Sequence, residues 1–317
     1  MISGNSAVLA FGKESTYATK VEPEKKVQFS SADFKATYNK VDTGLLTGGK
    51  SKSTVETMSV ATEGSVSTLA KPETVGHFLY GALGVELNES VTVNEVTKYA
   101  HKFTAIGNGE NDYLPSYTFV LDRKVTSNAY DGMTVNSLSM SAESEGYLSV
   151  EASYIGHCSS LATIPVTTGS AETGKAFKFH QASVTVNNEK LEATSLSLEI
   201  NNNLASLHTT KTGLYSTHPQ QGQREITAEL SVIYSSDSEA LRNQFWAQDN
   251  TLGIKMEFTD DNDNSLVIEI PVAQITAFDE PAVSGTDTLQ QSISLTAVDS
   301  DQELITVTLT NGREANY

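Results

Sequence analysis

Apolar and polar residues alternate with a period of two along much of this chain. Leu138, Met140 and Ala142 alternate with Ser137, Ser139, Ser141 and Glu143, and Leu148, Val150, Ala152 and Tyr154 with Ser149, Glu151 and Ser153. Successive side chains of a strand face opposite sides, so each run predicts a strand with one apolar and one polar face. Ser144-Glu145-Gly146 between the two predicts a hairpin turn. Val184 and Val186, then Leu196, Leu198 and Ile200, form another alternating set, with Asn187-Asn188 between them, a pair that tolerates positive φ in tight turns. Further strands are predicted at 34–40, 54–69, 226–234, 252–259, 265–270, 289–298 and 303–310.

Two segments have a helical period instead. In 71–84, Val75, Phe78, Leu79, Ala82 and Leu83 share one face, Pro72 and Glu73 suit the first turn, and Gly84 is a stop signal. In 236–248, Ser236 with Glu239 reads as a capping box, and Ala240, Leu241, Phe245 and Trp246 supply an apolar side. Each helix follows two strands joined by a long polar loop, at 41–53 in the first half and 202–222 in the second. The offset is about 165 residues, which reads as duplication of one β-rich unit carrying a single helix. The expected architecture is mainly β: two tandem β-sandwich or barrel domains, each with one flanking α-helix. The expected division is an N-terminal arm (1–27), a first domain (28–158), a Ser/Thr/Gly-rich linker (159–175) and a second domain (176–317).

Composition narrows the function. The 317 residues carry a formal charge of −18, about −5 over residues 1–160 and −13 over 161–317. Phosphate neutralisation needs clustered Lys and Arg, so a basic nucleic-acid binder is excluded. Cys158 is the lone cysteine, so a disulfide scaffold is excluded. No 18-residue apolar run offers a spanning helix, and MISGNSAVLAFGKES has no basic segment of a signal peptide.

Candidate chemistry is sparse. Gly44 to Ser51 matches the literal pattern GxxxxGK[ST], but a phosphate loop joins a buried strand to a helix, and here the following SKSTVETMSV alternates as a strand. Asp260, Asp261, Asp263 and Ser265 resemble the start of a calcium loop without its Gly and terminal Glu, and a polar hairpin turn explains them better. The six histidines have no metal-ligand spacing, and His157-Cys158 are adjacent strand residues that point apart. No enzyme and no cofactor is expected.

The pattern GNSAVLAFGKESTYAT, then FSSADFKATYNKVDTGLLTGGKS and EGSVSTLAKPETVGHFLYGALG, resembles phage tail tube proteins. The segments VNSLSMSAESEGYLSVEASYIG, SLSLEINNNL and VIEIPVAQITAFDEPAVSGTDTLQQSISLTAVDS are similar to the same family, so the resemblance covers nearly the whole chain. It implies a β-sandwich unit with a flanking helix and a long loop between early strands. In that family stacked rings, mostly of six units, join their inner sheets into a barrel around a lumen for DNA. A duplicated chain then implies a trimeric, pseudo-hexameric ring. The implied partners are the chain itself, a tape-measure protein inside the tube, tail terminator and baseplate or tip proteins, a sheath if the tail is contractile, and DNA in transit without sequence-specific binding. The implied location is the virion tail, assembled in the host cytoplasm.

Thr43, Leu45, Lys50 and Lys52 in the first loop, and Leu207, Lys211, Leu214 and Tyr215 in the second, are candidate ring-to-ring contacts, as is the N-terminal arm. Ser139, Ser141, Glu143, Glu229 and Ser231 are candidate lumen residues on polar strand faces, which could equally face outward or pack against a neighbour. The alternative reading is an extracellular β-rich adhesin or surface-layer protein.

Overall fold

The computed structural model describes residues 4–46, 48, 50, 54–107, 109, 112–162, 174–187, 189–246, 251–279, 281, 283, 288–299 and 303–317. The expected mainly β character holds. The strands of the first half are β1 (Val8–Lys13), β2 (Lys25–Val27), β3 (Ser31–Asp42), β4 (Val55–Leu69), β5 (Gly84–Val93), β6 (Val96–Ala105), β7 (Ser116–Asp122), β8 (Ser127–Glu143), β9 (Ser149–Gly156) and β10 (Cys158–Leu161), with helix α1 (Val75–Leu83) after β4. The second half has β11 (Ala182–Val186), β12 (Glu189–Leu191), β13 (Ala193–Asn201), β14 (Glu225–Ile233), α2 (Ser236–Trp246), β15 (Thr251–Thr259), β16 (Ser265–Phe278), β17 (Gln290–Ala297) and β18 (Thr306–Asn311). All belong to one continuous, open antiparallel sheet.

Two long strands organise it. The N-terminal part of β8 lies between β7 and β10, and its C-terminal part between β13 and β9. The N-terminal part of β16 lies between β15 and β18, and its C-terminal end pairs with β17. A run of neighbouring strands results, in the order β3-β4-β9-β8-β13-β14-β17-β16. The inward face of this run carries the predicted apolar residues Val150, Ala152, Leu138, Met140, Leu196 and Leu198, all buried, together with the buried Val66, Leu230 and Ile293. The main apolar cluster runs unbroken through both halves, because the β8–β13 ladder carries Leu138 and Met140 directly onto Ile200 and Leu198. Helix α1 packs on β8, β6 and β5.

Local signals explain the elements they reached. Glu145 takes positive φ in the β8–β9 turn and Asn187 in the β11–β12 turn. α1 buries all five predicted face residues and ends at Gly84, whose φ of 91° is the left-handed cap a glycine accommodates without strain. α2 departs from expectation. Its reciprocal cap is Ser235 with Ser238, each accepting the other's backbone N–H, and Ala240 and Trp246 are exposed. Trp246 instead takes the Arg242 guanidinium on its face, 4.3 Å from the ring centroid.

The segment 1–27, expected as an arm, contains strands β1 and β2. Val8–Lys13 is a strand between β2 and β7, with Leu9, Ala10 and Phe11 buried. Its sequence VLAFGK does not alternate because both faces are covered. Of the expected linker, residues 159–161 belong to β10, and 163–173 lie outside the described residues.

Candidate functional site

The face of the eight-membered run opposite the core is polar, and it is built from rows of cross-strand neighbours. One row is Ser31, Ser67, Glu151, Ser139, Glu199, Thr227 and Thr296, each opposite the next. The next runs Ser149, Ser141, Ser197, Glu229 and Ser294, and a third Glu143, Ser195, Ser231 and Ser292. Strand β13 thereby brings the predicted residues Ser139, Ser141 and Glu143 together with Glu229 and Ser231 on one surface. The glutamates are exposed and the serines between them half-buried. Serine pairs hold adjacent strands, with Ser137 Oγ 2.7 Å from Ser153 Oγ and Ser141 Oγ 2.9 Å from Ser149 Oγ. These three rows contain no Lys or Arg. A cation first appears at the β3 edge, where Lys35 faces Glu63 at 3.8 Å with both side chains largely exposed. Within the three rows Glu143, Glu151, Glu199 and Glu229 stand among hydroxyls without a cation, an arrangement that repels a polyanion.

The second long loop folds back over the first half of the chain. The backbone N–H of Val60 donates to Leu214 O at 2.8 Å, His208 Nε2 lies 3.3 Å from Val60 O, and Ser216 Oγ donates to Gly156 O. The loop thus continues along β4 where β9 has ended. Tyr17 donates its hydroxyl to Thr217 O, and its ring lies 4.3 Å from that of His218. Burial holds the His218 pKa below the usual imidazole range, so the ring is neutral near pH 7. Tyr215 sits half-buried against the His157 ring, and its bond with the Cys158 thiol raises its pKa. Tyr215 is therefore packed against the chain, whereas the side chains of Leu207, Lys211 and Leu214 are exposed, Leu214 and Leu207 being tied down only through their backbone carbonyls. In the first loop Thr43, Leu45 and Lys50 are exposed, and Lys52 lies outside the described residues. This loop ends a hairpin arm that projects beyond β9 and displays Tyr38, Val41, Leu45, Leu46, Val55 and Met58.

A sequence model of the phage tail tube protein matches residues 4–297, nearly the full chain. The chain belongs to the phage tail tube protein family. No curated protein matches it. As a tail tube protein it is a structural subunit of the virion tail, a component that self-assembles into a tube with other tail proteins. The literal phosphate-loop pattern is followed by β4 rather than a helix. The Asp260 carboxylate accepts the N–H groups of Asn262 and Asn264 and so closes the β15–β16 turn.

Sequence reasoning missed two buried polar residues that fix the site. Asn202, at the root of the crossing loop, bonds Ala82 O, Val135 O and the Arg224 guanidinium. Glu14 accepts four bonds, from the Ala18 and Gly132 N–H groups and the Ser116 and Thr118 hydroxyls. Both are ordinary polar residues in polar-looking segments, and no local spacing distinguishes them from surface positions.

Proposed function

We propose that this tail tube subunit carries two tandem tube-type β units per chain and builds stacked rings of three chains, pseudo-hexameric, around a lumen lined by the polar face. The observation that supports this reading is the recurrence of the strand ladders. Ala32 opposite Val66 is followed by Leu196 opposite Leu230, 164 positions on in both strands. The β8–β9 ladder has a bulge between Val135 and Ser137, and the β16–β17 ladder has one between Ile275 and Ala277, at the corresponding place. A third match lies between β7–β8 and β15–β16, with shifts between Tyr117 and Phe119 and between Leu252 and Ile254. Bulges are specific features of a ladder, so coincident bulges favour one unit used twice over two unrelated sheets. On this reading β1, β2 and β10 belong to the first unit, and the β5–β6 hairpin is an insertion with no counterpart.

The lumen assignment follows from charge and coverage. A channel that passes DNA must not hold it, and the rows around Glu151, Glu199 and Glu229 present carboxylates and hydroxyls with no cation. The chain acts here without catalysis or cofactor. Its further partners are the tape-measure protein, terminator and baseplate or tip proteins, a sheath where present, and DNA in transit. Negative-stain microscopy of the purified protein at rising concentration tests the assembly: rings of three chains and hollow tubes are expected, and a monomer at every concentration would overturn it. Glu151→Gln/Glu199→Gln/Glu229→Gln particles test the lumen. Tubes should still form but DNA delivery should fall, and unchanged delivery would refute the lumen role.

A further inference from the structure

The strand run has two outer edges without a strand beside them. Strand β3 pairs with β4, and no other described strand lies along its far side. At the opposite end β15 stops opposite Gln274, so Ala277, Phe278 and Asp279 have β17 on one side and no strand among the described residues on the other. Unpaired edges of this kind invite pairing with another chain.

The chain contains a template for what fits between them. In the recurring ladders β16 corresponds to β8 and β3 corresponds to β13, and β8 and β13 are paired within the chain. In that junction Ser137, Leu138 and Ser139 lie opposite Asn201, Ile200 and Glu199. The corresponding residues at the open edges are Ala277 and Phe278 at the end of β16 with Asp279 just after them, and Thr37, Ala36 and Lys35 on β3.

We infer that the β16 edge of one copy of this chain pairs antiparallel with the β3 edge of the next, with Asp279 opposite Lys35, Phe278 opposite Ala36 and Ala277 opposite Thr37. The inference rests on the tube reading above and adds its strand register. Side-chain chemistry agrees with that register on both faces. On the polar face an exposed carboxylate meets the exposed Lys35, whose own partner Glu63 is a loose 3.8 Å away. Opposite charges directly across a ladder attract, and like charges repel. On the core face the pair Leu138–Ile200 is replaced by Phe278–Ala36, a larger residue against a smaller one, so apolar again meets apolar at the junction. Phe278 is half-buried and already stacks with Phe245 of α2, 6.5 Å between centroids. A one-residue slip would set Lys35 against Phe278 and turn the apolar set outward.

The backbone also decides a test. Asp279 donates its N–H to Ser292 O, so its hydrogen-bonding groups face β17. Toward the next chain it therefore sits in a non-hydrogen-bonded pair, with Cα atoms about 4.5 Å apart, inside the range a disulfide spans. Lys35→Cys/Asp279→Cys in a Cys158→Ser background, assembled and then oxidised, should run on a non-reducing gel as covalent species of up to three chains. Mixing the two single-cysteine variants should stop the ladder at dimers. Ser139→Cys/Glu199→Cys is the control, since it places the same pair within one chain. Assembled tubes whose control closes while Lys35→Cys/Asp279→Cys stays monomeric would overturn the register but leave the tube reading intact. Wild-type protein that forms neither rings nor tubes would instead overturn the tube reading. Charge exchange gives an independent readout. Lys35→Asp and Asp279→Lys should each raise the concentration needed for assembly about fivefold or more, and the combined exchange should restore it. Failure of the combined variant to recover would also count against the pairing.

Discussion

Replacing Asn202 tests the attachment between the crossing loop and the first half of the chain. Asn202 is wholly buried. Its Nδ2 donates to Ala82 O at 3.0 Å and Val135 O at 3.2 Å, and its Oδ1 accepts from Arg224 Nε at 2.9 Å. Both carbonyls need this partner. Ala82 is in the last turn of α1, where carbonyls have no intrahelical donor. Val135 borders the β8–β9 bulge, where the ladder skips a residue. Arg224 is itself substantially buried, and that burial lowers its pKa, so its charge depends on close acceptors. Asn202→Ala leaves two buried carbonyls and part of a guanidinium without partners. Each such group costs about 1–3 kcal/mol, and water entering the vacated space recovers some of it. The expected loss is about 3–5 kcal/mol, read from urea denaturation at concentrations below assembly, with faster proteolysis within 202–222. Asn202→Asp should be no better than Ala, because a carboxylate in that position faces two carbonyl oxygens. A loss below about 1 kcal/mol for both variants would refute the reasoning and mean that the loop is held by its other contacts alone.

Three other substitutions probe the fold beneath the site. Glu14→Gln turns an amide N–H₂ toward donors that now bind a carboxylate oxygen, losing two of four bonds, and should cost about 3 kcal/mol by the same denaturation measurement. Gly64 lies under the Phe34 ring, and an added Cβ would fall well inside contact distance of it, so Gly64→Ala should destabilise by about 1–3 kcal/mol and a Phe34→Leu background should soften the effect. His77 is buried between the Phe11 and Tyr317 rings, neither ring nitrogen has a hydrogen-bond partner among the described residues, and burial holds its pKa well below the usual value. The unfolded chain therefore takes up the proton first: the stability His77 permits is complete above about pH 6.5 and is lost as pH falls below it. His77→Phe should flatten that part of the stability–pH curve, and an unchanged slope would place the titration elsewhere.

How much was legible depended on how many faces an element exposes. The C-terminal part of β8 and strands β9, β13 and β14 each cover one face, so Leu138, Met140, Leu196 and Leu230 mark the core by alternation and Ser139, Ser141 and Glu229 mark the polar surface. Strands β1 and β7 are buried on both faces, and VLAFGK and SYTFVLD carry no period from which to read them. The β5–β6 hairpin is largely exposed on β5, so its sequence resembled a variable segment. Loop 202–222 read as a polar loop offering ring-to-ring contacts, and its attachments to the chain itself were not legible, because they are mostly backbone groups and partners far along the chain, Val60, Gly156 and Tyr17, which leave no mark on neighbouring residues.

By itself the sequence determined the strand periods, both helices and the glycine that ends the first of them. These are local properties, set by side-chain alternation and backbone preference within a few residues. Only the tertiary structure decided that β8 lies beside β13. That single long-range pairing merges the polar faces of both halves, carries one core across them, and leaves β3 and β16 as the open edges. Antiparallel ladders are stabilised by backbone groups that every residue possesses, so the alternating pattern specifies which face a strand buries, and the packing of the whole chain selects which strand lies next to it.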